Sequence, residues 1–171
     1  MNEKLKILVA DDEPWMPELV GGAAEVFSAS TGVETEIFNA YDGAHALNLA
    51  LREQVNLVLS DVNMPGGSGP LFLKGLLNGP SSPNMAFLSG GDISPEDAFI
   101  IEMMMQDPRM LGLIKKTCSP EMLRTLMLAA SVNQRILNAS TYCDDGVFDQ
   151  ITTETVRACR DYGVAVGGRF N

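Results

Sequence analysis

The stretch Asn56–Gly69, NLVLSDVNMPGGSG, decides the fold. Its first half is short and almost continuously apolar, the pattern of a strand covered on both faces in a parallel sheet. The run stops on a carboxylate, Asp61, and dissolves into a proline- and glycine-rich turn before the next apolar stretch. Four other runs have the same character: KILVAD (6–11), TEIFNA (35–40), MAFLSG (85–90) and MLGLIKK (110–116). Between and after these five strands lie helical patterns near 14–29, 43–54, 68–78, 95–106 and 119–138. In the second of them, Ala46, Leu47, Ala50 and Leu51 share a face at three- and four-residue spacing. Ser94-Pro95-Glu96-Asp97 and Ser119-Pro120-Glu121 read as helix starts, each a capping serine followed by proline and acids in the first turn. Five strand–helix repeats predict an α/β fold with a doubly wound parallel sheet, whose ligands gather beyond the carboxyl ends of the strands.

That rule brings the polar strand ends together. The first strand runs into Asp11-Asp12-Glu13, the third ends at Asp61, the fourth at Ser89-Gly90-Gly91 and the fifth at Lys115-Lys116. Carboxylates converging on one edge raise one another's pKa unless a cation sits among them. A hard, oxygen-seeking ion such as Mg²⁺, with Mn²⁺ as an alternative, suits that donor set. A metal beside Asp61 would neutralise an incoming phosphoryl group while a lysine and a hydroxyl bind its other oxygens. Asp61 would then be a carboxylate nucleophile.

With these residues in order, the sequence resembles the receiver domain of two-component response regulators. The resemblance covers roughly residues 5–137 and rests on ILVADDE, LVLSDVNMPGGSG, AFLSG and LIKKTCSPEML. It implies a five-stranded sheet of order 2-1-3-4-5 and a phosphoacceptor at Asp61. It also implies a metal site of Asp11, Asp12, Asp61 and the backbone carbonyl of Asn63, with Asp12 bound directly and Asp11 through water. Ser89 stands at the switch hydroxyl and Lys116 at the phosphate-binding lysine, chosen over Lys115 because Ser119 follows at the family's spacing. Thr117 replaces the proline usual after that lysine, whose preceding bond is commonly cis in the family. Without proline the cis form costs about 2.5–4 kcal/mol, which opens the trans form. Leu113 stands where the family carries an aromatic switch residue, so only the Ser89 half of that switch is supported. Gly91 leaves one side of the phosphate site uncovered, open to water or a phosphatase.

Composition bounds the partners. The chain has 171 residues, 46% hydrophobic and 20% charged, with a formal net charge of −10. An acidic surface whose longest basic run is Lys115-Lys116 argues against direct nucleic-acid binding and against anionic membranes. No leader pattern and no apolar run long enough to span a membrane is expected, and Cys118, Cys143 and Cys159 read as reduced thiols, so a cytoplasmic, bacterial setting is the expectation. The lone His45 reads as a surface residue. Residues 1–138 are expected to form the domain and 139–171 a C-terminal extension. In that extension Phe148, Ile151, Thr155, Cys159 and Tyr162 recur as one helical stripe near 148–162.

The fourth helix is over-apolar, with Ala98, Phe99, Ile100 and Ile101 followed by Met103, Met104 and Met105. It is expected either to be covered by the extension or to serve as a partner surface, methionine-rich faces being adaptable. The functional expectation is a signalling phosphoacceptor rather than an enzyme, apart from slow self-phosphorylation and self-dephosphorylation. A histidine kinase or phosphotransfer protein would be the donor. A protein partner or a second copy would read the face built from the fourth helix, fifth strand and fifth helix. The alternative is a phosphorylation-independent interaction or dimerisation module. A phosphohydrolase ranks last, because Asn63 occupies the place where such enzymes commonly carry a second aspartate.

Overall fold

The computed structural model describes residues 4–79, 83–134 and 136. Five strands and five helices alternate: β1 (Leu5–Ala10), α1 (Trp15–Thr31), β2 (Thr35–Ala40), α2 (Gly43–Glu53), β3 (Leu57–Asp61), α3 (Gly69–Leu77), β4 (Asn84–Ser89), α4 (Pro95–Met104), β5 (Met110–Lys115) and α5 (Pro120–Asn133). All pairings are parallel, in the order β2-β1-β3-β4-β5. The predicted doubly wound sheet and its order are therefore what the chain adopts.

The central strands are apolar throughout because both faces are covered. On one side Ile7, Val9, Leu57, Leu59 and Leu88 pack with α1 and α5. On the other, Leu8, Val58, Met85 and Phe87 pack with α2, α3 and α4. The helix starts follow the sequence: Ser94 Oγ accepts from the Asp97 amide and Ser119 Oγ from the Met122 amide, with proline in the first turn of each helix. Each such cap is worth about 1 kcal/mol. His45 is exposed.

Two expectations need correction. The buried face of α2 is Gly43, Ala46, Leu49 and Ala50, while Leu51 is 43% exposed. Counting from Ala46 places the stripe a few tens of degrees off, and the Gly43–Ala46–Ala50 line wins because small residues let α2 approach the sheet and α3 closely. Helix α5 ends at Asn133 rather than near 138, its last turn closed by the Gln134 amide on the Ala130 carbonyl. The extension, 139–171, and its expected helix near 148–162 lie outside the described residues, as do Cys143 and Cys159.

The register aligns the carboxyl ends of the strands. Ala10 pairs with Ala40, Asp61 with Leu88 and Ser89 with Lys115. The residues just past these pairs therefore share one edge of the sheet.

Candidate functional site

At that edge Asp11, Asp12 and Asp61 each present a carboxylate oxygen within 4.8 Å of the others. Strand β1 delivers Asp11, whose amide donates to the Ala40 carbonyl at 3.0 Å, so the residue remains tied to the sheet and is fully buried. Asp12, one residue on, is exposed. Asp61 closes β3, buried, and the next amide, Val62, still pairs with the Leu88 carbonyl at 2.9 Å.

The cation among them is Lys116. Its ammonium lies 3.0 Å from Asp11, 2.9 Å from Asp61 and 2.5 Å from Glu13, and its side chain is only 6% exposed. Lys115, its neighbour, is exposed, so the side-chain alternation past β5 selects the second lysine. The Lys116 amide donates to the Ser89 carbonyl at 2.9 Å, which anchors the backbone from which the side chain reaches across. The Lys116–Thr117 bond is trans, no cis peptide occurring among the described residues. The reach to both aspartates is thus made from a trans backbone.

Burial alone would depress the Lys116 pKa, but hydrogen bonds to Glu13, Asp61 and Asp11 outweigh it and hold the ammonium well above its usual range. Burial pushes the Asp11 carboxyl above its ordinary value, against the Glu13 amide and Lys116, which pull it down. The hydrogen bond and charge of Lys116 hold Glu13 below its ordinary range. Asp11 Oδ1 accepts from both Lys116 and the Glu13 amide, while buried Asp11 Oδ2 lies 3.0 Å from the same ammonium, an ion-pair contact without hydrogen-bond alignment. A buried carboxylate oxygen that no donor is aligned on, with the Asp12 and Asp61 oxygens within 4.8 Å, is a donor set that fits Mg²⁺ or Mn²⁺.

The remaining expected residues sit around this cluster. Asn63 is exposed beyond β3; its amide donates to Asp61 Oδ1 at 3.2 Å and its side chain to the Asp92 carbonyl at 3.2 Å. Those two bonds hold the 62–63 backbone beside Asp61. Ser89 is half-buried at the end of β4, and its hydroxyl donates to the Gly91 carbonyl at 3.1 Å, engaging its own loop rather than Asp61. Gly91 is exposed and a side chain there would meet nothing within 4 Å. Leu113 is partly buried against the α2–α4 side of the sheet.

Three participants escaped the sequence reading. Glu13 was visible beside the acidic pair, but nothing in its position told that its side chain folds back to Lys116. Gly69 was visible as a motif residue; the structure gives its reason. A Cβ there would stand 1.9 Å from the Asp61 carbonyl oxygen, so only glycine lets the returning chain pass beneath the aspartate. Gly90 similarly leaves room for the Lys116 stem, whose Cδ would lie 3.2 Å from an added Cβ.

Comparison with known proteins agrees with this geometry. The family profile of the response regulator receiver domain matches residues 7–128. The nitrate/nitrite response regulator protein NarP of Escherichia coli K12 is 27% identical over 133 residues, 78% of this chain and 58% of that protein, so the chain spans little more than half of that relative. The chemotaxis response regulator CheY4 of Vibrio cholerae superposes with a TM-score of 0.53 at 25% identity, over 79% of this chain and all of that one. The receiver domain of a NarL regulator from Mycobacterium tuberculosis gives 0.56 at 25% identity, over 77% and 96% of the two chains. The REC domain of AraT from Geobacillus stearothermophilus shares the fold, with 0.63 at 24% identity over 78% and 97%. Matched motif by motif and strand by strand, this chain belongs to the response regulator receiver domain family.

Proposed function

We propose that the chain is a phosphoacceptor of two-component signalling, taking a phosphoryl group onto Asp61 from a phosphohistidine of a histidine kinase or phosphotransfer protein. The observation that carries this reading is the buried Lys116 ammonium bonded at once to Asp61 and Asp11. In the transfer an Asp61 oxygen forms a bond to phosphorus as the histidine N–P bond breaks, and the freed imidazole keeps its electron pair. Lys116 binds an equatorial phosphoryl oxygen, exchanging its bond to Glu13 for one to the phosphoryl group. The Asn63 amide, already on Asp61 Oδ1, keeps the nucleophile from rotating. Asp11, Asp12, Asp61 and the Asn63 carbonyl would hold a divalent metal, Mg²⁺ or Mn²⁺, which when bound supplies charge neutralisation for the incoming phosphoryl group.

Ser89 acts as the switch in this reading. Its hydroxyl leaves the Gly91 carbonyl for a phosphoryl oxygen and pulls the β4–α4 loop with it. The change is then read by a protein partner on the face of α4, β5 and α5.

Incubation of the full chain with acetyl phosphate and Mg²⁺ tests the proposal by intact mass. One phosphoryl group should be gained by the natural chain and none by Asp61→Asn. A folded chain that gains no Asp61-dependent mass, and whose amide spectrum does not respond to beryllofluoride with Mg²⁺, defeats the proposal. The chain would then be a phosphorylation-independent interaction module.

A further inference from the structure

A second feature lies at the opposite edge of the sheet. Helix α4 buries Ile101 and Met104 but leaves Phe99 63% and Met103 60% exposed. Phe99, Met103 and Met104, together with Leu77 of α3 and with Pro108 and Arg109 before β5, line a groove of about 510 Å³. That is a volume typical of sites that take a small ligand or a few large side chains. Arg109 braces the groove: its guanidinium pairs with Asp107 at 2.8 Å and donates to the Leu77 carbonyl at 3.2 Å, tying α3 to the β5 entry. A groove whose α4 wall exposes an aromatic and a methionine side chain, rimmed by polar residues, has the make-up of an interaction site.

The place where the described chain stops points to one. Gln134, just past α5, donates to Asn84 Oδ1 at 3.4 Å, and Asn84 Nδ2 donates to the carbonyl of Arg109 at 3.3 Å. The chain thus leaves α5 at the same end of β4 and β5 on which the groove opens. From Ile136 the twelve residues to Phe148 reach up to roughly 40 Å when extended. The two helical layers are only about 20 Å apart across the sheet, two layer spacings of ~10 Å.

The sequence that follows carries an apolar stripe, Phe148, Ile151, Thr155, Cys159 and Tyr162. A helical stripe of that many residues, Phe148 to Tyr162, spans about 22 Å, enough to lie along α4 and the loop after it. Acidic Asp149 and Glu154 flank the stripe, and exposed Lys74 stands on the groove's α3 wall. We propose that residues 148–162 of this same chain dock on the α3–α4 groove, laying the stripe over Phe99 and Met103. A tethered segment has an effective concentration in the millimolar range, which favours it over a second copy.

The stripe contains its own crosslinking residue, Cys159. In the full-length chain with Cys143→Ser, Met103→Cys is treated with a short bismaleimide and the linked peptides are mapped by mass spectrometry. A Met103→Cys to Cys159 link within the monomer is expected, with none from Leu51→Cys, an exposed α2 position used as control. No link, or equal links from both positions, overturns the proposal. Links formed only between two copies, rising with protein concentration, also overturn it and make a second copy the occupant. Hydrogen exchange gives an independent measure: with Ile151→Asp and Tyr162→Asp combined, amides of 99–104 should exchange about tenfold faster while those of β1 and β3 keep their rates. Unchanged exchange at 99–104 overturns the proposal as well.

Discussion

Lys116→Met retains much of the side-chain volume and removes the ammonium that Asp11 and Asp61 share at 3.0 and 2.9 Å. At an effective dielectric of ~20, each contact carries about 5–6 kcal/mol of Coulomb attraction. Most of that is offset by the cost of drying the three groups. What the substitution exposes is the repulsion between two buried carboxylates. Their oxygens lie within 4.8 Å, which at the same dielectric amounts to at least about 3.5 kcal/mol. Removing one partner of a buried pair typically costs ~3–5 kcal/mol, so the expected loss at pH 7 is about 3–4 kcal/mol. Glu13 adds nothing to this figure because its carboxylate is solvated. Urea unfolding followed by far-UV circular dichroism and Trp15 fluorescence measures the loss.

The pH dependence gives a second, sharper check. Burial already raises Asp11 above 3.8 with Lys116 in place, and without Lys116 two of the influences that lower it disappear. A carboxyl whose folded pKa exceeds its unfolded value binds protons more readily when folded. Its contribution to stability is complete below the unfolded pKa and is lost as pH rises through the folded one. The variant therefore gains stability on acidification, by at most ~1.4 kcal/mol per pH unit for one group. Lys116 in the natural chain has a raised pKa, and its contribution is complete below 10.5, so it does not change between pH 5 and 7. The gap between the two proteins should therefore narrow on acidification, by no more than that slope. A loss under ~1 kcal/mol at pH 7, or a gap that stays constant on acidification, refutes the description of this cluster as a buried charged network.

Three further outcomes follow from the same geometry. Gly69→Ala should destabilise by at least ~3 kcal/mol in denaturant melts, since its Cβ would collide with the Asp61 backbone rather than a movable side chain; a change under ~1 kcal/mol would mean that the turn relaxes freely. Glu13→Gln should leave stability within about 0.5 kcal/mol, as befits an exposed position, yet accelerate phosphorylation by acetyl phosphate, because Lys116 no longer has to leave a carboxylate; an equal or slower rate counts against that exchange. Mg²⁺ titrated by the fluorescence of Trp15, two residues beyond Glu13, should bind more weakly as pH falls through the raised Asp11 pKa, by at most about tenfold per unit. An affinity that stays constant down to the lowest pH at which the chain remains folded would remove Asp11 from the metal site.

Much of the site was legible in the sequence because parallel α/β sheets place strand ends by rule. Asp11, Asp61, Ser89 and Lys116 each follow an apolar run, and runs of that kind pair in parallel with their carboxyl ends together. The choice of Lys116 over Lys115 came from the resemblance, through the family's spacing from the lysine to the next helix cap, and the structure buries Lys116 and exposes Lys115. The α2 face was not: Leu47 and Leu51 match the helical period as well as Gly43 and Leu49 do, and only the packing distance to α3 and the sheet separates them. Nor was the orientation of the Ser89 hydroxyl, which depends on the loop carbonyl nearest to it.

The sequence by itself determined the sheet, its parallel sense, and the edge on which the acidic residues collect, since period and apolar content are local properties that need no partner. Tertiary structure alone decided that Glu13 competes for Lys116, that the Lys116 ammonium reaches both Asp11 and Asp61, and that Gly69 passes beneath Asp61. Those facts depend on distances between residues about 50 to 105 positions apart, or on how closely one backbone approaches another. The same holds for α4. Its sequence shows too many apolar residues for one face, but only the packing against α3 and Arg109 turns Phe99 and Met103 into the walls of a groove, at the end of the sheet where the chain leaves α5.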